Sequence, residues 1–234
     1  MRATLLALLL LAACSQAPKD DDDVRSDAFP LASRPVAPIV SSDFSTEEAR
    51  DKRREADLVM AEAGVMPGMT VADIGAGEGY YTVRLATRVG RKGRVVAQDI
   101  LHEVRDRLAD RVIREALDNV SVKLGEPSDP MLPAASFDRI FMVHMYHEIR
   151  RPYEFLWRLR PALSPRGQVV VVEAARAVME HGMPATLLDC EFRAVGYHLV
   201  ERKPMAEVDG YIALYGAPGP RPRPEEIKPC SSAG

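Results

Sequence analysis

A glycine-rich turn between two apolar stretches is the segment of this sequence best suited to hold a ligand. It runs from Val71 to Tyr81 and places glycines at Gly75, Gly77 and Gly79. Glycines let the backbone turn tightly and approach a ligand closely, and a helix beginning at Tyr80 would offer its first N–H groups. A dinucleotide-binding turn has the pattern GxGxxG, but Tyr80 takes the place of its last glycine. The spacing therefore disfavours an NAD-dependent oxidoreductase, which remains an alternative.

Two aspartates near this turn suit a nucleoside that carries an amino acid. Asp73 lies two residues before the first glycine, where we expect its carboxylate to face a cationic amino group. Asp99 ends the next predicted strand, and its two oxygens can accept hydrogen bonds from both ribose hydroxyls. In the alternative, the glycines only make a tight turn and Asp99 only caps the following helix.

A second group of reactive side chains, in the segment HMYHE, follows a later apolar run. His147 or His144 is a candidate general base, with Glu148 orienting an imidazole. Alternatively, His144 lines a cofactor pocket through its backbone, and His147 with Glu148 caps the next turn. The His-x-x-His spacing with Glu148 also allows a metal site, but we predict none from the sequence. We interpret His181 and His198 as ordinary surface or loop histidines.

Alternating helix and strand patterns must position these residues. A capping-box spacing at 45–48 begins a charged helical stretch that ends at Gly64. The patterns predict strands at 69–74, 94–99, 121–124, 137–143, 168–173, 197–203 and 211–215, and helices at 80–89, 101–112, 152–163 and 184–195. This alternation is typical of an α/β protein with a doubly wound, mostly parallel sheet and an antiparallel closing hairpin. Such sheets bind ligands at the carboxyl ends of their strands.

These segments together resemble class I S-adenosylmethionine-dependent methyltransferases. The resemblance runs from about residue 64 to 216 and depends on VADIGAGEGYYT, VVAQD, NVSVKLGE, SFDRIFMVHMYHE and LSPRGQVVVVE. It implies a Rossmann-like seven-stranded sheet, S-adenosyl-L-methionine as the cofactor, and methyl transfer as the activity. Together with the export signal described below, it leads us to expect a small or envelope-associated acceptor. A methyltransferase-like binding protein without turnover is an alternative. The sequence departs from the family's LKPGG at Arg166, which affects a turn and not the cofactor.

The resemblance also implies roles for individual residues. In the family, the positions of Asp73 and the three glycines shape the methionine end of the pocket, the position of Asp99 holds the ribose, and an acid near Glu126 meets the adenine amino group. The predicted cofactor-binding set is Asp73, Gly75, Ala76, Gly77, Gly79, Tyr80, Asp99, Glu126 and His144, and the predicted catalytic set is His147, His144 and Glu148.

The composition limits the partners of the chain. It has 234 residues, with 31 basic and 34 acidic side chains and a net charge of −3. No basic block stands out, so nucleic acid is not a predicted partner. A small-molecule substrate is expected, and the 47% apolar content is enough for one domain with a core. We predict a methyltransferase domain over 44–216.

The N-terminus has the pattern of an export signal. The apolar run Ala3–Ala13 is eleven residues long, too short for the roughly 20 that span a bilayer, and it follows an early arginine. Leu11-Ala12-Ala13-Cys14 resembles the bacterial lipobox, which implies removal of residues 1–13 and lipid attachment at Cys14. Ser15 favours the outer membrane, facing the periplasm. The alternatives are an ordinary signal peptide that contains a cysteine, or a misassigned start codon upstream of a cytosolic enzyme.

The segments on either side of the domain have compositions typical of solvated chain. Residues 14–43 contain four consecutive aspartates and four prolines and are predicted to form a flexible linker. The tail at 217–234 contains five prolines and is predicted to be extended and poorly ordered. Cys190 and Cys230 either form a disulfide that pins the tail to the domain, or remain a buried cysteine and a free tail thiol.

Overall fold

The computed structural model of this chain describes residues 24–39 and 46–231. The predicted signal, the lipid attachment at Cys14 and the acidic run at 20–23 lie outside the described residues. None of the helices in the two described ranges is long and apolar enough to cross a bilayer.

Seven strands of the described chain form one sheet in the order β3-β2-β1-β4-β5-β7-β6. They are β1 (Thr70–Ile74), β2 (Arg94–Asp99), β3 (Val120–Leu124), β4 (Phe137–Val143), β5 (Leu163–Ala174), β6 (His198–Met205) and β7 (Gly210–Gly216). Strands β1 to β5 are parallel, and β7 runs antiparallel to both β5 and β6. The predicted fold class, a doubly wound Rossmann-like sheet with an antiparallel closing hairpin, is confirmed. The strand order reverses between β1 and β4, where such sheets bind ligands.

Six α-helices in the described ranges pack around this sheet. They are α1 (Glu47–Lys52), α2 (Glu55–Glu62), α3 (Tyr80–Val89), α4 (His102–Arg114), α5 (Pro152–Leu159) and α6 (Ala185–Ala194). The charged stretch predicted as one helix is two, because Arg54 between them has a left-handed φ of 55°. Helix α5 ends at Leu159 and continues as a 3-10 turn over Arg160–Ala162. Pro161 lies in this turn and cannot donate a backbone hydrogen bond.

The core lies on both faces of the central strands. The valine run 169–172 of β5 is fully buried, as expected for a strand covered on both sides. Alternate valines contribute to two apolar clusters, one containing Leu156 and Phe192 and the other containing Leu85. Because β5 is covered on both faces, its carboxyl end lies in the interior, where Glu173 is buried beside the end of β4.

The segment 24–39 packs against the domain, so the prediction of a flexible linker over 14–43 is wrong for this part. Phe29 is buried and meets the ring of Trp157 edge-on, with the ring centroids 5.3 Å apart. Arg34 is buried, and its Nε donates to Glu191 Oε1 at 2.9 Å. The backbone N–H of Ala37 donates to the carbonyl of His147. These contacts give the segment partners that its proline-rich composition did not indicate.

The described part of the tail, 217–231, also packs on the domain, so the prediction of a poorly ordered tail is wrong there. The indole Nε1 of Trp157 donates to the carbonyl of Pro222 at 2.8 Å, and the guanidinium carbon of Arg221 lies 3.2 Å from the centroid of the Trp157 ring system. Cys190 and Cys230 form a disulfide with their Cα atoms 6.0 Å apart. Of the two alternatives for these cysteines, the structure has the bridge.

Candidate functional site

A cavity of about 1190 Å³ opens at the carboxyl ends of β1, β2 and β4. Pockets for small molecules are commonly about 300–1,000 Å³, so this cavity has room for a large ligand together with a second, smaller one. Nine residues of the predicted site line it: Gly75, Ala76, Gly77, Tyr80, Asp99, Glu126, His144, His147 and Glu148. Asp73 and Gly79, which were also predicted, are outside the wall.

The glycine-rich turn has one glycine that serves packing and one that faces open space. Gly79 has a φ of 92°, and a Cβ there would come within 2.5 Å of Leu108 Cδ1 in α4. Gly79 therefore allows α3 and α4 to pack closely. A Cβ at Gly77 would meet no atom within 4 Å, and Gly77 lines the cavity. The backbone at Gly77 is thus accessible to a ligand.

Asp99 joins the turn to the cavity wall. Its Oδ2 accepts from the Gly77 N–H at 3.1 Å, and its Oδ1 accepts from the Leu101 N–H at 2.9 Å, at the beginning of α4. Each carboxylate oxygen can accept more than one hydrogen bond, so both retain capacity for a ligand. Asp99 therefore stabilises the local turn and still presents acceptors to the cavity. Glu126, just past β3, lines the same wall and its N–H donates to Asp129 O.

Asp73 lies behind the wall, against α3. Its Oδ2 accepts from the Thr82 hydroxyl at 2.6 Å, and the side chain is buried. Burial raises the pKa of Asp73 to about 6, and the charge of Asp99 adds to the rise, while Thr82 and Arg50 oppose it. The structure thus gives Asp73 a partner in α3 and does not bring its carboxylate to the cavity, where we expected it to face an amino group.

Tyr80 is held by charged residues around it. Its hydroxyl donates to Asp51 Oδ1 at 3.0 Å, and its ring lies between the guanidinium groups of Arg50 and Arg84, with each guanidinium carbon within 4 Å of the ring centroid. Burial and the Asp51 carboxylate raise the pKa of Tyr80 to about 12. Tyr80 therefore contributes a neutral ring to the wall, in contact with α1.

The imidazole of His144 is directed toward Glu55 in α2. It follows β4 with a left-handed φ of 55°, and its Nε2 lies 3.6 Å from Glu55 Oε1. Burial alone would raise the pKa of Glu55, but interactions with His144 and Arg50 outweigh it and lower the pKa to about 2. Glu55 is therefore the side-chain partner of the His144 imidazole.

His147 is oriented by Glu173, a residue that we did not predict for this site. Its Nδ1 lies 2.8 Å from Glu173 Oε2, and its backbone N–H donates to Glu173 Oε1 at 3.4 Å. We expected Glu148 to orient an imidazole, but at His147 this role belongs to Glu173, which ends the valine run of β5. A carboxylate at the end of such an apolar run is a signal that could have been noticed, because a buried charge requires a partner.

His181 also belongs to this site, although we interpreted it as an ordinary loop histidine. Its ring centroid lies 5.5 Å from that of His147, and both residues line the cavity. Desolvation, together with the neighbouring His147 and Arg176, lowers the pKa of His181 below its ordinary value. The loop after β5 brings this histidine into place across a separation of 34 residues, which no local pattern indicates.

Residues 56–177 match the family model for protein-L-isoaspartate(D-aspartate) O-methyltransferase (PCMT), over more than half of the chain. The chain belongs to this family. The PCMT family is a class I S-adenosylmethionine-dependent methyltransferase family, so the predicted enzyme class and the predicted cofactor, S-adenosyl-L-methionine, are confirmed. The match includes both the glycine-rich turn and the histidine segment after β4.

Individual relatives agree with this family and cover part of the chain. Nocamycin O-methyltransferase of Saccharothrix syringae is 40% identical over 86 residues, which are 37% of this chain and 29% of that protein. Protein-L-isoaspartate O-methyltransferase 2 of Archaeoglobus fulgidus is 32% identical over 106 residues, 44% of this chain and 45% of that protein. The match therefore spans less than half the length of either relative.

A solved structure shows the same fold over most of its length. The crystal structure of a SAM dependent methyltransferase from Aquifex aeolicus superimposes with a TM-score of 0.64 at 24% identity. The alignment covers 73% of this chain and 97% of that one.

The residues that line the cavity at the ends of β1, β2 and β3 fit S-adenosylmethionine. Asp99 offers acceptors for ribose hydroxyls, and Glu126 offers a carboxylate on the same wall. The space beside Gly77 is open, because a Cβ at this position would meet no atom within 4 Å. Asp99 and Glu126 would hold the nucleoside part, and the backbone at Gly77 would lie beside the methionine part. Asp99 and Glu126 lie at the ends of β2 and β3, on one side of the point where the strand order reverses, whereas His147 and His181 follow β4 and β5 on the other side. The cavity therefore has a histidine end that is distinct from the end at Asp99.

Proposed function

We propose that this protein transfers the methyl group of S-adenosylmethionine to a small or envelope-associated acceptor at the histidine end of the cavity. One observation carries the proposal: Asp99 with the glycine-rich turn, and His147 with its partner Glu173 behind it, meet at one cavity. When bound, S-adenosylmethionine supplies a methyl group on a positively charged sulfur: the lone pair of an acceptor attacks the methyl carbon in line with the carbon–sulfur bond, and a neutral thioether leaves.

The chain's own residues position the acceptor. A carboxylate can only accept, so the contact of Glu173 Oε2 with His147 Nδ1 assigns the ring proton to Nδ1 and, in a neutral ring, the lone pair to Nε2. His147 therefore presents Nε2 as an electron-pair donor at the acceptor end. The family description and the nocamycin relative both name O-methylation, which supports an oxygen atom as the acceptor.

Cofactor binding tests the first half of the proposal. In calorimetry with S-adenosylhomocysteine, we expect the full chain to bind, and Asp99→Ala to weaken binding at least about tenfold because it removes both acceptor oxygens. The matched control is Asp110→Ala on the exposed face of α4. Absence of binding to S-adenosylmethionine and to its demethylated product would refute the proposal.

Turnover tests the second half. Labelled S-adenosylmethionine is offered with isoaspartyl peptides, phenols and aliphatic alcohols, and label transferred to any of them supports the enzyme. Loss of transfer in His147→Ala with cofactor binding retained assigns His147 to the acceptor end. Binding without transfer to any acceptor would favour the alternative of a methyltransferase-like binding protein.

We further propose that the protein works outside the cytosol as a lipoprotein attached through Cys14. Two observations support this: the lipobox-like sequence ending at Cys14, and the Cys190–Cys230 disulfide, since disulfides persist mainly in oxidising compartments. The mass of the N-terminal peptide from membrane fractions tests it. A diacylated Cys14 is expected, and an unmodified peptide that begins at Met1 in the soluble fraction would contradict it.

A further inference from the structure

We propose that His147, Glu148 and His181 form a binding site for a divalent first-row transition-metal ion at the acceptor end of the cavity. One ligand atom from each residue lies within 4.8 Å of the corresponding atoms of the other two. All three residues line the cavity. Small side-chain rotations would bring three atoms at this spacing to the roughly 2.0–2.2 Å metal–ligand distances found for imidazole and carboxylate.

The environment of His147 prepares it to be a ligand. Metal-binding histidines commonly donate their second ring N–H to a carboxylate, which fixes the ring and makes the ligating nitrogen more basic. Glu173 makes this contact at 2.8 Å, and its carboxylate is fully buried. The same carboxylate accepts from the His147 backbone, so the ring and its segment are held together.

A buried arginine supports the segment from its other side. The guanidinium of Arg34 donates to the carbonyls of Tyr146, His147 and Ile149. Its side chain is also paired with Glu191, and both are 1% exposed. The backbone that carries His147 and Glu148 is thereby restrained, as a preformed ligand set requires.

The chemistry of the donors selects the kind of ion. Two imidazoles and one carboxylate suit Zn²⁺, Fe²⁺, Co²⁺ or Mn²⁺, whereas Mg²⁺ and Ca²⁺ prefer oxygen ligands. Two carboxylates, Glu148 in the set and Glu173 behind it, balance the charge of a divalent ion. Four arginines also line the cavity, at positions 50, 53, 150 and 176, and their positive charges oppose it.

Three protein ligands leave coordination positions open toward the cavity, which indicates the acceptor class. This step rests on the proposed methyltransferase function. An open position would take an oxygen of the acceptor, as a hydroxyl or a carboxylate, and hold it beside the cofactor end. A divalent ion lowers the pKa of a hydroxyl group that it binds. Such a hydroxyl would release its proton directly to solvent, so no side-chain base is required. His147 then acts as a ligand through Nε2 and not as a proton acceptor.

Cobalt binding tests the site without relying on activity. The full chain is treated with a chelator, dialysed and titrated with Co²⁺, with visible absorption reporting imidazole–carboxylate coordination and calorimetry reporting stoichiometry. We expect one equivalent to bind. His181→Ala should lower the affinity at least about tenfold, and Glu173→Gln by about 10–100-fold through the loss of orientation. His198→Ala, an exposed histidine on the edge strand β6, should bind as the wild type does.

Two measurements keep the outcomes distinct. His181→Ala is checked for folding by its thermal unfolding and by its affinity for S-adenosylhomocysteine, which reports the other end of the cavity. Equal Co²⁺ binding in His181→Ala and His198→Ala would overturn the metal site, as would the absence of bound Co²⁺ in the folded wild type. If Co²⁺ binds but the cofactor does not, the metal site stands and the proposed function fails.

Discussion

The imidazole of His147 and the carboxylate of Glu173 meet 2.8 Å apart, with both side chains almost closed to solvent. The two residues are 26 positions apart: His147 follows β4, and Glu173 lies near the carboxyl end of the neighbouring parallel strand β5, where Val143 of β4 is paired with Val172 of β5. This register brings the end of one strand beside the segment that leaves the other. The contact engages Nδ1 of the His147 ring and leaves Nε2 outside this hydrogen bond.

Replacement of Glu173 by glutamine tests the importance of that contact. Glu173→Gln keeps the shape of the side chain but removes the charge that fixes the tautomer of His147. We expect methyl transfer to fall by about 10–100-fold and its pH profile to shift, while affinity for S-adenosylhomocysteine changes by less than about twofold. Glu180→Gln, at an exposed position of the following loop, is the control. Turnover and a pH profile equal to those of the wild type would show that Glu173 has no positioning role.

Asp73 predicts a pH dependence of stability. Its pKa in the folded protein, about 6, is above its ordinary value of 3.8, so the folded state binds this proton more tightly than the unfolded state. Ionisation of Asp73 therefore lowers the free energy of unfolding as the pH rises from about 4 to about 6, and this loss is fully present above that range. The shift corresponds to about 3 kcal/mol.

The variant Asp73→Asn removes this ionisation while Asn can still accept from Thr82. We subtract the free energy of unfolding of the wild type from that of the variant at each pH. This difference should be greater at pH 8 than at pH 4 by up to about 3 kcal/mol. Urea denaturation of both proteins at the two pH values measures this difference. The same value at pH 4 and pH 8 would show that the fold does not raise the pKa of Asp73 above its ordinary value.

Reduction of the Cys190–Cys230 disulfide should release the tail. The bridge closes a loop with a sequence separation of 40. A loop of this length contributes about 4 kcal/mol by restricting the unfolded chain. The double variant Cys190→Ser with Cys230→Ser should lose about that much stability in urea denaturation. Unchanged stability, or two titratable thiols in these positions in the non-reduced wild type, would contradict the bridge.

Loss of Arg34 should destabilise the domain, although this residue lies in a segment that resembles a linker. Arg34→Ala leaves the Glu191 carboxylate buried without its guanidinium partner, which typically costs about 3–5 kcal/mol. Arg25→Ala, which breaks an exposed ion pair with Asp27, should change the free energy of unfolding by less than about 1 kcal/mol. The double replacement of Arg34 and Glu191 by methionine should recover most of the loss. If Arg34→Ala were as stable as Arg25→Ala, segment 24–39 would not be docked as described.

Much of the fold and of the cofactor end was predictable from local patterns. The predicted bounds of α3, β2 and β4 agree with the structure to the residue, because apolar periodicity and turn residues are local signals. The positions of Asp99 and Gly77 in the cavity wall were also predictable, since one ends a strand and the other follows from the glycine spacing, while their contacts with the cofactor stay a prediction. The break at Arg54 was not, because a left-handed residue in a charged stretch leaves no compositional mark.

The sequence by itself determined the sheet class and the methyltransferase class, because apolar periodicity and turn residues are local signals that recur from unit to unit along residues 64–216. It also indicated that Gly77 and Asp99 lie in the cavity wall, since each is close to the end of a strand. Only the tertiary structure decided that Asp73 binds Thr82 behind the wall, that His147 pairs with Glu173, and that His181 joins them. It also decided that residues 24–39 and 217–231 pack on the domain. These contacts join residues that are far apart along the chain and that strand register brings together. A buried polar group requires a hydrogen-bond partner, so each one pairs with the group that the fold places within reach.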